Sequence, residues 1–282
     1  MIMQTNVPQI TLSDGNQVPQ VGFGTYLLNG YTGVNAMTSA LNKGYRFLDS
    51  AFNYDNEGAV GEAVRRSAVP RDEITVLSKL PGRFHEYHQA IQAIQESVLR
   101  TGLDYIDLYL IHWPNPQQGL YVEAWQALID AQRFGLVRSI GVSNFLPEHL
   151  EKLEKETGVL PVANEIEVQP YFNNQAQRDY NDQHNIATID WSPIGRANEM
   201  LKDETIGKIA QAHQRSIPQV ILRWEIQLGT ITIPKATTPS RQVENLSLFD
   251  FELTAEEMAI ISSLTRPDGR TSNQDPAVHE EF

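Results

Sequence analysis

The sequence contains no cysteine. A chain without cysteine has no disulfide framework, no thiol nucleophile and no thiolate ligand for a metal ion. No apolar run approaches the roughly 20 residues that span a membrane as a helix, and the first residues lack the basic start and apolar core of a signal peptide. These absences together predict a cytoplasmic protein that does not enter a membrane.

Positive charge is also scarce. Lysine and arginine number 22 against 35 aspartates and glutamates, which gives a formal net charge of -13. This excess of negative charge disfavours nucleic acids and anionic membrane surfaces as partners, because an acidic surface repels both. Any anion that the protein binds therefore needs a local basic pocket.

Strand-like and helix-like patterns alternate along the chain. Eight apolar runs have the length and composition of buried strands: VGFGTY, RFLDSA, ITVLSKL, YIDLYLIHW, VRSIGVS, VANEIEV, IATID and TITIPK. The segments between them show helical spacing, as at Ile91, Ile94 and Val98. Repeated strand and helix units imply parallel strands, and eight units in about 250 residues favour a closed (β/α)8 TIM barrel over an open doubly wound sheet. We expect one domain over residues 1–282.

Both ends of the chain differ from these repeating units. At about residues 8–20, two short apolar runs flank an Asp-Gly-Asn turn, which predicts a β-hairpin. Near the other end, Thr254 and Glu257 form a capping-box pattern for a last helix. The residues after it, about 265–282, are polar and irregular. We expect this C-terminal tail to lie on the surface.

Four residues that can take part in proton transfer stand at or just after the ends of predicted strands: Asp49, Tyr54, Lys79 and His112. In a (β/α)8 barrel the functional groups collect at the C-terminal ends of the strands, so side chains from three neighbouring strands can meet there. Each residue alone has an ordinary structural explanation, such as a helix cap or a packed core ring. Their joint arrangement favours a functional site.

Together these residue types describe proton delivery to an oxygen. A tyrosine has an ordinary pKa of about 10, and a nearby ammonium such as that of Lys79 lowers it. Asp49 can keep this lysine charged, and His112 can donate a hydrogen bond to a substrate carbonyl. The sequence offers neither a nucleophile with an adjacent base nor clustered metal ligands, so we expect no metal site. A cofactor must then supply the electrons.

The usual dinucleotide-binding motif is missing. The stretch GFGTYL at residues 22–27 lacks the last glycine of GxGxxG, and no Walker A loop occurs. Lys235 and Arg241 instead flank a Pro/Thr turn before a helix that is predicted to begin near Ser240. Two cations beside a helix N-terminus can bind a phosphate, although such pairs also arise by chance on a surface.

These motifs together resemble the aldo-keto reductase superfamily over nearly the whole chain. The similar segments are the strand-2 signature, the histidine motif, the nicotinamide-amide motif and the adenosine-phosphate motif: GYRFLDSAFNYDNEGAVGEAV, LIHWP, GVSNF and IPKATTPSRQVEN. The prokaryotic branch similar to 2,5-diketo-D-gluconic acid reductases fits best. The resemblance implies reduction of carbonyl compounds with NADPH.

The resemblance also implies a role for each matching residue. Asp49, Tyr54, Lys79 and His112 would form a catalytic tetrad, with Tyr54 as the general acid in reduction. The implied contacts to the cofactor are these: Ser143 and Asn144 with the nicotinamide carboxamide, Trp191 stacked on the nicotinamide ring, Ser192, Ile194 and Gly195 along the pyrophosphate, Lys235, Ala236, Thr237 and Arg241 at the 2′-phosphate, and Glu244 and Asn245 at the adenine. Tyr26, Phe52 and Trp113 would line an apolar substrate pocket, although core packing explains each of them equally well.

Two positions depart from the family pattern. Glu165 stands where the family usually has a glutamine that contacts the carboxamide, and an ionised carboxylate there can accept but cannot donate a hydrogen bond. If ionised, it would favour the cationic ring of NADP+. Ala236 stands where a serine is usual, which removes one hydroxyl donor to the 2′-phosphate. We therefore expect NADPH as the cofactor, with a weaker preference over NADH than is typical.

Two other functions compete with this interpretation. A barrel of this kind could bind NADP(H) with little turnover, as a redox sensor or an accessory subunit, and the intact tetrad disfavours that alternative. A metal-dependent hydrolase on a TIM barrel is disfavoured by the lack of clustered ligands. The physiological substrate does not follow from the sequence, and the acidic surface favours a monomer.

Overall fold

The structure, a computed structural model, describes three stretches of the chain: residues 7–195, 199–272 and 274–282. A β-hairpin comes first, in which β1 (Gln9–Thr11) pairs antiparallel with β2 (Gln17–Pro19). Between them the Asp14 carboxylate accepts a hydrogen bond of 3.0 Å from the backbone N–H of Asn16. Gly15 has a φ of +88°, which glycine adopts without a side-chain clash. The predicted hairpin is confirmed.

Eight parallel strands follow the hairpin and pair with one another in chain order. They are β3 (Phe23–Gly24), β4 (Phe47–Asp49), β5 (Thr75–Leu80), β6 (Ile106–Ile111), β7 (Val137–Ser143), β8 (Ala163–Glu167), β9 (Ala187–Trp191) and β10 (Ile231–Thr232). A parallel bridge between Val21 and Thr232 joins the last strand to the chain just before the first. There the backbone N–H of Gly22 donates to the Thr232 carbonyl over 2.8 Å. The predicted (β/α)8 barrel is confirmed.

Ten α-helices occur in the described part of the chain: α1 (Gly30–Lys43), α2 (Glu57–Arg66), α3 (Tyr87–Thr101), α4 (Tyr121–Arg133), α5 (Pro147–Thr157), α6 (Gln175–Gln183), α7 (Glu204–Ala212), α8 (Ile217–Gln227), α9 (Pro239–Leu246) and α10 (Ala255–Ser262). None of these described helices is both long and apolar enough to cross a membrane. Sequence signals set their ends: α3 stops at Gly102, which has a left-handed φ of +60°, and α10 starts with the predicted capping box of Thr254 and Glu257.

One cluster of buried apolar side chains fills the inside of the barrel. Leu77, Leu108 and Leu110 of the middle strands pack there with Leu12 and Val18 of the hairpin. The hairpin therefore covers the N-terminal end of the barrel. The opposite end, where the strands finish, is the one that receives polar residues.

The sequence led us to expect the C-terminal tail on the surface. The structure shows that parts of the tail are instead held against the barrel. The backbone N–H and hydroxyl of Thr271 both donate to Glu167 at the end of β8, at 2.7 and 2.6 Å. Further on, Glu281 is mostly buried and reaches the loops after β4 and β5. Residue 273 lies outside the described residues. The tail crosses the C-terminal end of the barrel, because its polar groups pair with strand-end and loop residues there.

Candidate active site

Alternation along the strands places the predicted polar residues in one layer at the C-terminal end of the barrel. Each of them follows an inward apolar residue by two positions: Asp49 follows Phe47, Lys79 follows Leu77, His112 follows Leu110 and Glu165 follows Ala163. Tyr54 ends a short 3₁₀ turn, Phe52–Tyr54, directly after β4. The structure thus brings all four predicted tetrad residues together, with Glu165 beside them.

Lys79 is the centre of this polar group and has no exposed surface. Its ammonium contacts the Asp49 carboxylate, the Ser50 carbonyl at 3.0 Å and the Glu165 carboxylate at 3.2 Å. Burial alone lowers the pKa of Lys79, but the two carboxylates more than offset this and hold the pKa above its usual value. Lys79 is therefore charged, as we inferred for a lysine compensated by Asp49.

Tyr54 lies beside this ammonium, with the Lys79 Nζ atom 5.3 Å from the centre of its ring. The His112 ring meets it at a centroid distance of 6.0 Å. Burial raises the pKa of Tyr54, Lys79 lowers it, and the carboxylates of Asp49, Glu165 and Glu281 raise it again. Lys79 therefore lowers the pKa as expected, but burial and the carboxyl groups outweigh it, so the net pKa is above its usual value. Tyr54 keeps its proton and can donate it.

Glu165 is buried, with 2% of its surface exposed. Burial and the neighbouring Asp49 raise its pKa to about 8, while Lys79 opposes the shift. At neutral pH the carboxyl group is therefore mostly protonated and can donate as well as accept a hydrogen bond. Its Oε2 atom is buried without a hydrogen-bond partner among the described residues. An unsatisfied polar atom at this place is free to bind a ligand amide.

A chain of hydrogen bonds joins Ser143, Asn144 and Trp191. Asn144 donates to the Ser143 hydroxyl over 2.9 Å and to the His112 carbonyl over 3.0 Å. The Trp191 indole N–H donates to Asn144 Oδ1 over 2.9 Å, which fixes the orientation of a half-buried ring. Since its polar edge is satisfied, Trp191 can offer an apolar face to a flat ring.

The turn after β9 carries the three residues assigned to the pyrophosphate. Ser192 has a φ of +53° and Gly195 a φ of +54°, and the Gly195 N–H donates to the Ser192 carbonyl over 2.8 Å. Ile194 packs against buried apolar side chains beneath the turn. Residues 196–198 lie outside the described residues.

The N-terminus of α9 has the features of an anion site. Thr238 precedes the helix, and its side chain does not cap the free backbone N–H groups of the first turn. Lys235 and Arg241 are exposed on either side, and neither forms an ion pair with a carboxylate within the described stretches. Unpaired cations on an acidic protein are suited to bind a phosphate.

The remaining residues assigned to this part of the cofactor differ in exposure. Ala236 is buried with 4% of its surface exposed, and its carbonyl accepts from Gln242 over 3.2 Å. Thr237 is exposed, Glu244 is half-buried and Asn245 is buried. Ala236 thus presents no polar side-chain group to the anion site.

The three predicted pocket residues lie in different surroundings. Tyr26 is 47% exposed and meets the Tyr54 ring edge to face at 5.0 Å. Trp113 is mostly buried, with the His279 ring of the tail at 4.3 Å. Phe52 packs in the core between Phe84 and the Arg100 guanidinium, 3.8 Å from its ring centre. The structure gives Phe52 a packing role that needs no substrate.

Sequence reasoning missed Glu281. Its Oε1 atom lies 2.7 Å from Nδ1 of His112 and accepts a hydrogen bond of 2.8 Å from the Asn53 side chain. Its Oε2 atom accepts from the Gly82 N–H at 3.3 Å. No local pattern in the polar tail announces this, because the partners come from loops far earlier in the chain.

The residues present fit a nicotinamide dinucleotide phosphate. The free Oε2 atom of Glu165 and the fixed Trp191 ring suit an amide-bearing flat ring, and the uncapped start of α9 with its two cations suits a phosphate. The polar layer around Lys79 lies at the same end of the barrel. The arrangement can therefore deliver a proton beside a redox ring.

Comparisons with known proteins agree with this geometry. A statistical description of the Aldo/keto reductase family matches residues 20–266. The chain is 49% identical over 277 residues to 2,5-diketo-D-gluconic acid reductase B of Corynebacterium sp. (strain SHS752001), covering 98% of this chain and 99% of that protein. It is 41% identical over 275 residues to methylglyoxal reductase DkgA of Yersinia pestis, covering 97% and 98%.

A solved structure gives the same result. A variant of Gox0644 in complex with NADPH matches with a TM-score of 0.92 at 40% identity, covering 97% of this chain and 99% of that one. Both the sequence motifs and the fold therefore have their counterparts in one family. The chain belongs to the aldo-keto reductase family, whose members are NADP-dependent oxidoreductases.

Proposed function

We propose that this protein reduces aldehydes and ketones to alcohols with NADPH. The observation that carries the proposal is the Tyr54 ring, which lies beside the buried Lys79 ammonium and the His112 ring at the end of the barrel and whose raised pKa keeps its hydroxyl protonated. This group can deliver a proton to an oxygen but holds no electron donor of its own. The family membership supports a nicotinamide cofactor in that role.

NADPH, when bound, would supply a hydride to the carbonyl carbon. Tyr54 donates its proton to the carbonyl oxygen, and His112 orients that oxygen by a hydrogen bond. The phenolate that Tyr54 leaves is stabilised by the Lys79 ammonium, which Asp49 keeps charged. In the direction of oxidation the same phenolate takes the proton back from the alcohol.

The chain's own residues orient the cofactor. Ser143, Asn144 and Glu165 would hold the carboxamide, and Trp191 would hold one face of the nicotinamide ring. The residues along the rest of the cofactor are Ser192, Ile194, Gly195, Lys235, Ala236, Thr237, Arg241, Glu244 and Asn245. Trp191 would thereby leave one face of the ring open to the substrate, which would make the transfer stereospecific.

The 2′-phosphate end decides between NADPH and NADH. Lys235 and Arg241 would pair with the phosphate, while Ala236 offers no hydroxyl to it. One missing hydrogen bond to a charged group costs about 1.5–3 kcal/mol, which narrows the preference for NADPH without inverting it. NADH remains a weaker cofactor in this proposal.

The charge of Glu165 affects whether the protein binds NADP+ more tightly than NADPH. Its pKa of about 8 means that the carboxyl group is mostly neutral at pH 7 and imitates the glutamine usual in the family. The preference for NADP+ that an ionised carboxylate would cause is therefore expected only above about pH 8.

Small carbonyl compounds are the proposed substrates, including keto-sugars and α-diketones. The relatives named for 2,5-diketo-D-gluconic acid and for methylglyoxal support this range. Tyr26 and Trp113 lie beside the tetrad and would line the pocket, and Phe52 backs it from the core. A monomeric, single-domain, cytoplasmic enzyme stays a prediction.

The test is NADPH oxidation with a panel of aldehydes, α-diketones and keto-sugars, for the wild type and for Tyr54→Phe. We expect turnover to fall by about 10²–10⁴ in the variant, because general acid catalysis contributes about that much. The affinity for NADPH, measured from the quenching of tryptophan fluorescence, should stay unchanged. Tyr31→Phe is the matched control, since Tyr31 is 76% exposed on α1.

Two results would decide against the proposal. Full turnover in Tyr54→Phe would remove Tyr54 as the acid. Tight NADPH binding by the wild type without turnover on any carbonyl would favour the sensor or accessory subunit instead.

A further inference from the structure

The end of the C-terminal tail occupies a built site over the mouth of the barrel. The Asn115 side chain donates to the Glu281 carbonyl over 2.7 Å and accepts from the Glu281 N–H over 3.0 Å. A methyl group at Gly82 would come within 2.4 Å of the same carbonyl, so only glycine leaves room for the tail. The Gln117 N–H binds the Glu280 carboxylate at 2.8 Å. These contacts fix the backbone of Glu281.

The side chain of Glu281 points from this anchored backbone into the catalytic group. Its carboxylate lies 2.7 Å from the His112 ring and also contacts Asn53 and Gly82. Only 13% of the side chain is exposed. A substrate carbonyl that approaches Tyr54 and His112 must therefore pass close to this negative charge.

Two carboxyl groups, those of Asp49 and Glu281, act on Tyr54 against the Lys79 ammonium, while Glu165 is mostly neutral near pH 7. The Arg83 guanidinium is the nearby cation at the mouth, and it is held by the Asn53 side chain and by the ring of Phe84 at 4.7 Å. The contacts of Glu281 with His112 and its other donors lower its pKa in spite of burial, so it stays ionised.

We propose that Glu281 is a specificity-determining residue that selects against carbonyl substrates with a carboxylate beside the reacting carbonyl and thereby favours uncharged ones. This inference rests on the proposed carbonyl reductase function and adds the charge of the preferred substrate. Two carboxylates in a partly desolvated pocket repel each other, whereas an uncharged aldehyde, ketone or ester meets no such cost. Hydroxyl groups on such a substrate can donate to the Glu281 oxygens.

The experiment compares a keto acid with its ester. Pyruvate and methyl pyruvate present the same ketone, and their kcat/KM values are measured with NADPH for the wild type, Glu281→Gln and Glu280→Gln. Glutamine keeps the size of the side chain and one acceptor oxygen, for either the Asn53 or the Gly82 donor, but removes the charge. Glu280→Gln is the control. It removes the charge of the neighbouring tail residue, whose carboxylate accepts from the Gln117 N–H and not from the donors that contact Glu281.

We expect the ratio of kcat/KM for pyruvate to that for methyl pyruvate to rise about tenfold or more in Glu281→Gln. In Glu280→Gln this ratio should stay near the wild-type value. Differences in the intrinsic reactivity of the two ketones cancel, because each variant is compared with the wild type on both.

An unchanged ratio in Glu281→Gln, with the ester still reduced, would overturn the inference. An equal fall in kcat/KM for both substrates would also overturn it, since that result assigns Glu281 to the positioning of His112. Failure of the proposed function is seen separately, as a wild type that oxidises NADPH with neither of these ketones nor any aldehyde.

Discussion

Lys79 and Lys235 are the same residue type at two ends of the proposed cofactor site, and the protein treats them in opposite ways. Lys79 has no exposed surface and contacts two carboxyl groups. Lys235 is exposed and has no carboxylate partner in the described residues. A buried cation needs carboxylate partners within the fold, whereas an exposed cation is hydrated and remains available to bind an anionic ligand. The burial of Lys79 makes it part of the stability of the fold and of the proposed catalysis, whereas Lys235 is suited to the proposed binding of the cofactor.

Replacing each lysine by methionine tests most directly whether the buried and the exposed lysine contribute differently to stability. Lys79→Met leaves Asp49 and Glu165 buried without their cation, and we expect the free energy of unfolding to fall by about 3–5 kcal/mol. Lys235→Met changes a surface side chain, so its effect should stay within about 0.5 kcal/mol. Urea unfolding measures both. Equal losses of stability in the two variants would show that the pairing of Lys79 with Asp49 and Glu165 does not stabilise the fold.

Arg241→Ala sharpens the binding side of the comparison. The loss of a charged partner for the 2′-phosphate should raise the KM for NADPH by about ten- to a hundredfold, which corresponds to about 1.4–2.7 kcal/mol. The KM for NADH should not change, because NADH lacks that phosphate. Arg133→Ala, on the exposed side of α4, is the control for removing an arginine. A parallel rise for both cofactors would contradict the phosphate assignment.

Glu165→Gln tests the buried charge group around Lys79 through the pH dependence of stability. The folded protein binds the Glu165 proton up to about pH 8, whereas the unfolded chain releases it near the ordinary value of 4.5. Between these values the folded state holds more protons, so stability falls as pH rises, by at most about 1.4 kcal/mol per pH unit. The glutamine variant lacks this titration and should gain stability relative to the wild type from pH 5 to pH 8.

Urea unfolding at several pH values in that window measures the difference. Glu151→Gln serves as the control, because Glu151 is exposed on α5. A difference between wild type and Glu165→Gln that does not change with pH would mean that Glu165 is ionised in the folded protein throughout.

Much of the architecture follows from local signals in the sequence. The Asp-Gly-Asn turn predicted the hairpin, and all eight strand-like runs form strands of the barrel. The capping box at Thr254 also lies where the pattern placed it. These features depend on hydrogen bonds and side-chain directions within a few residues, which a sequence displays directly.

The expectations that failed concern distances in space. The tail was expected on the surface, but Glu281 lies against His112 because Asn115 and Gly82 receive it. The pKa of Tyr54 was expected to fall, and burial with the carboxyl groups of distant residues raises it instead. No spacing in the sequence shows how many charges meet at one point.

The sequence by itself determined which residues point into the barrel and which end its strands, because a strand alternates its side chains with a period of two. That rule brings Asp49, Lys79 and His112 to one layer. Only the tertiary structure decided the balance of charge in that layer, since Glu281 arrives from the tail and the protonation of Glu165 depends on its burial beside Asp49 and Lys79. Burial and Coulomb interactions depend on separation in space and on the exclusion of water, and folding alone fixes both.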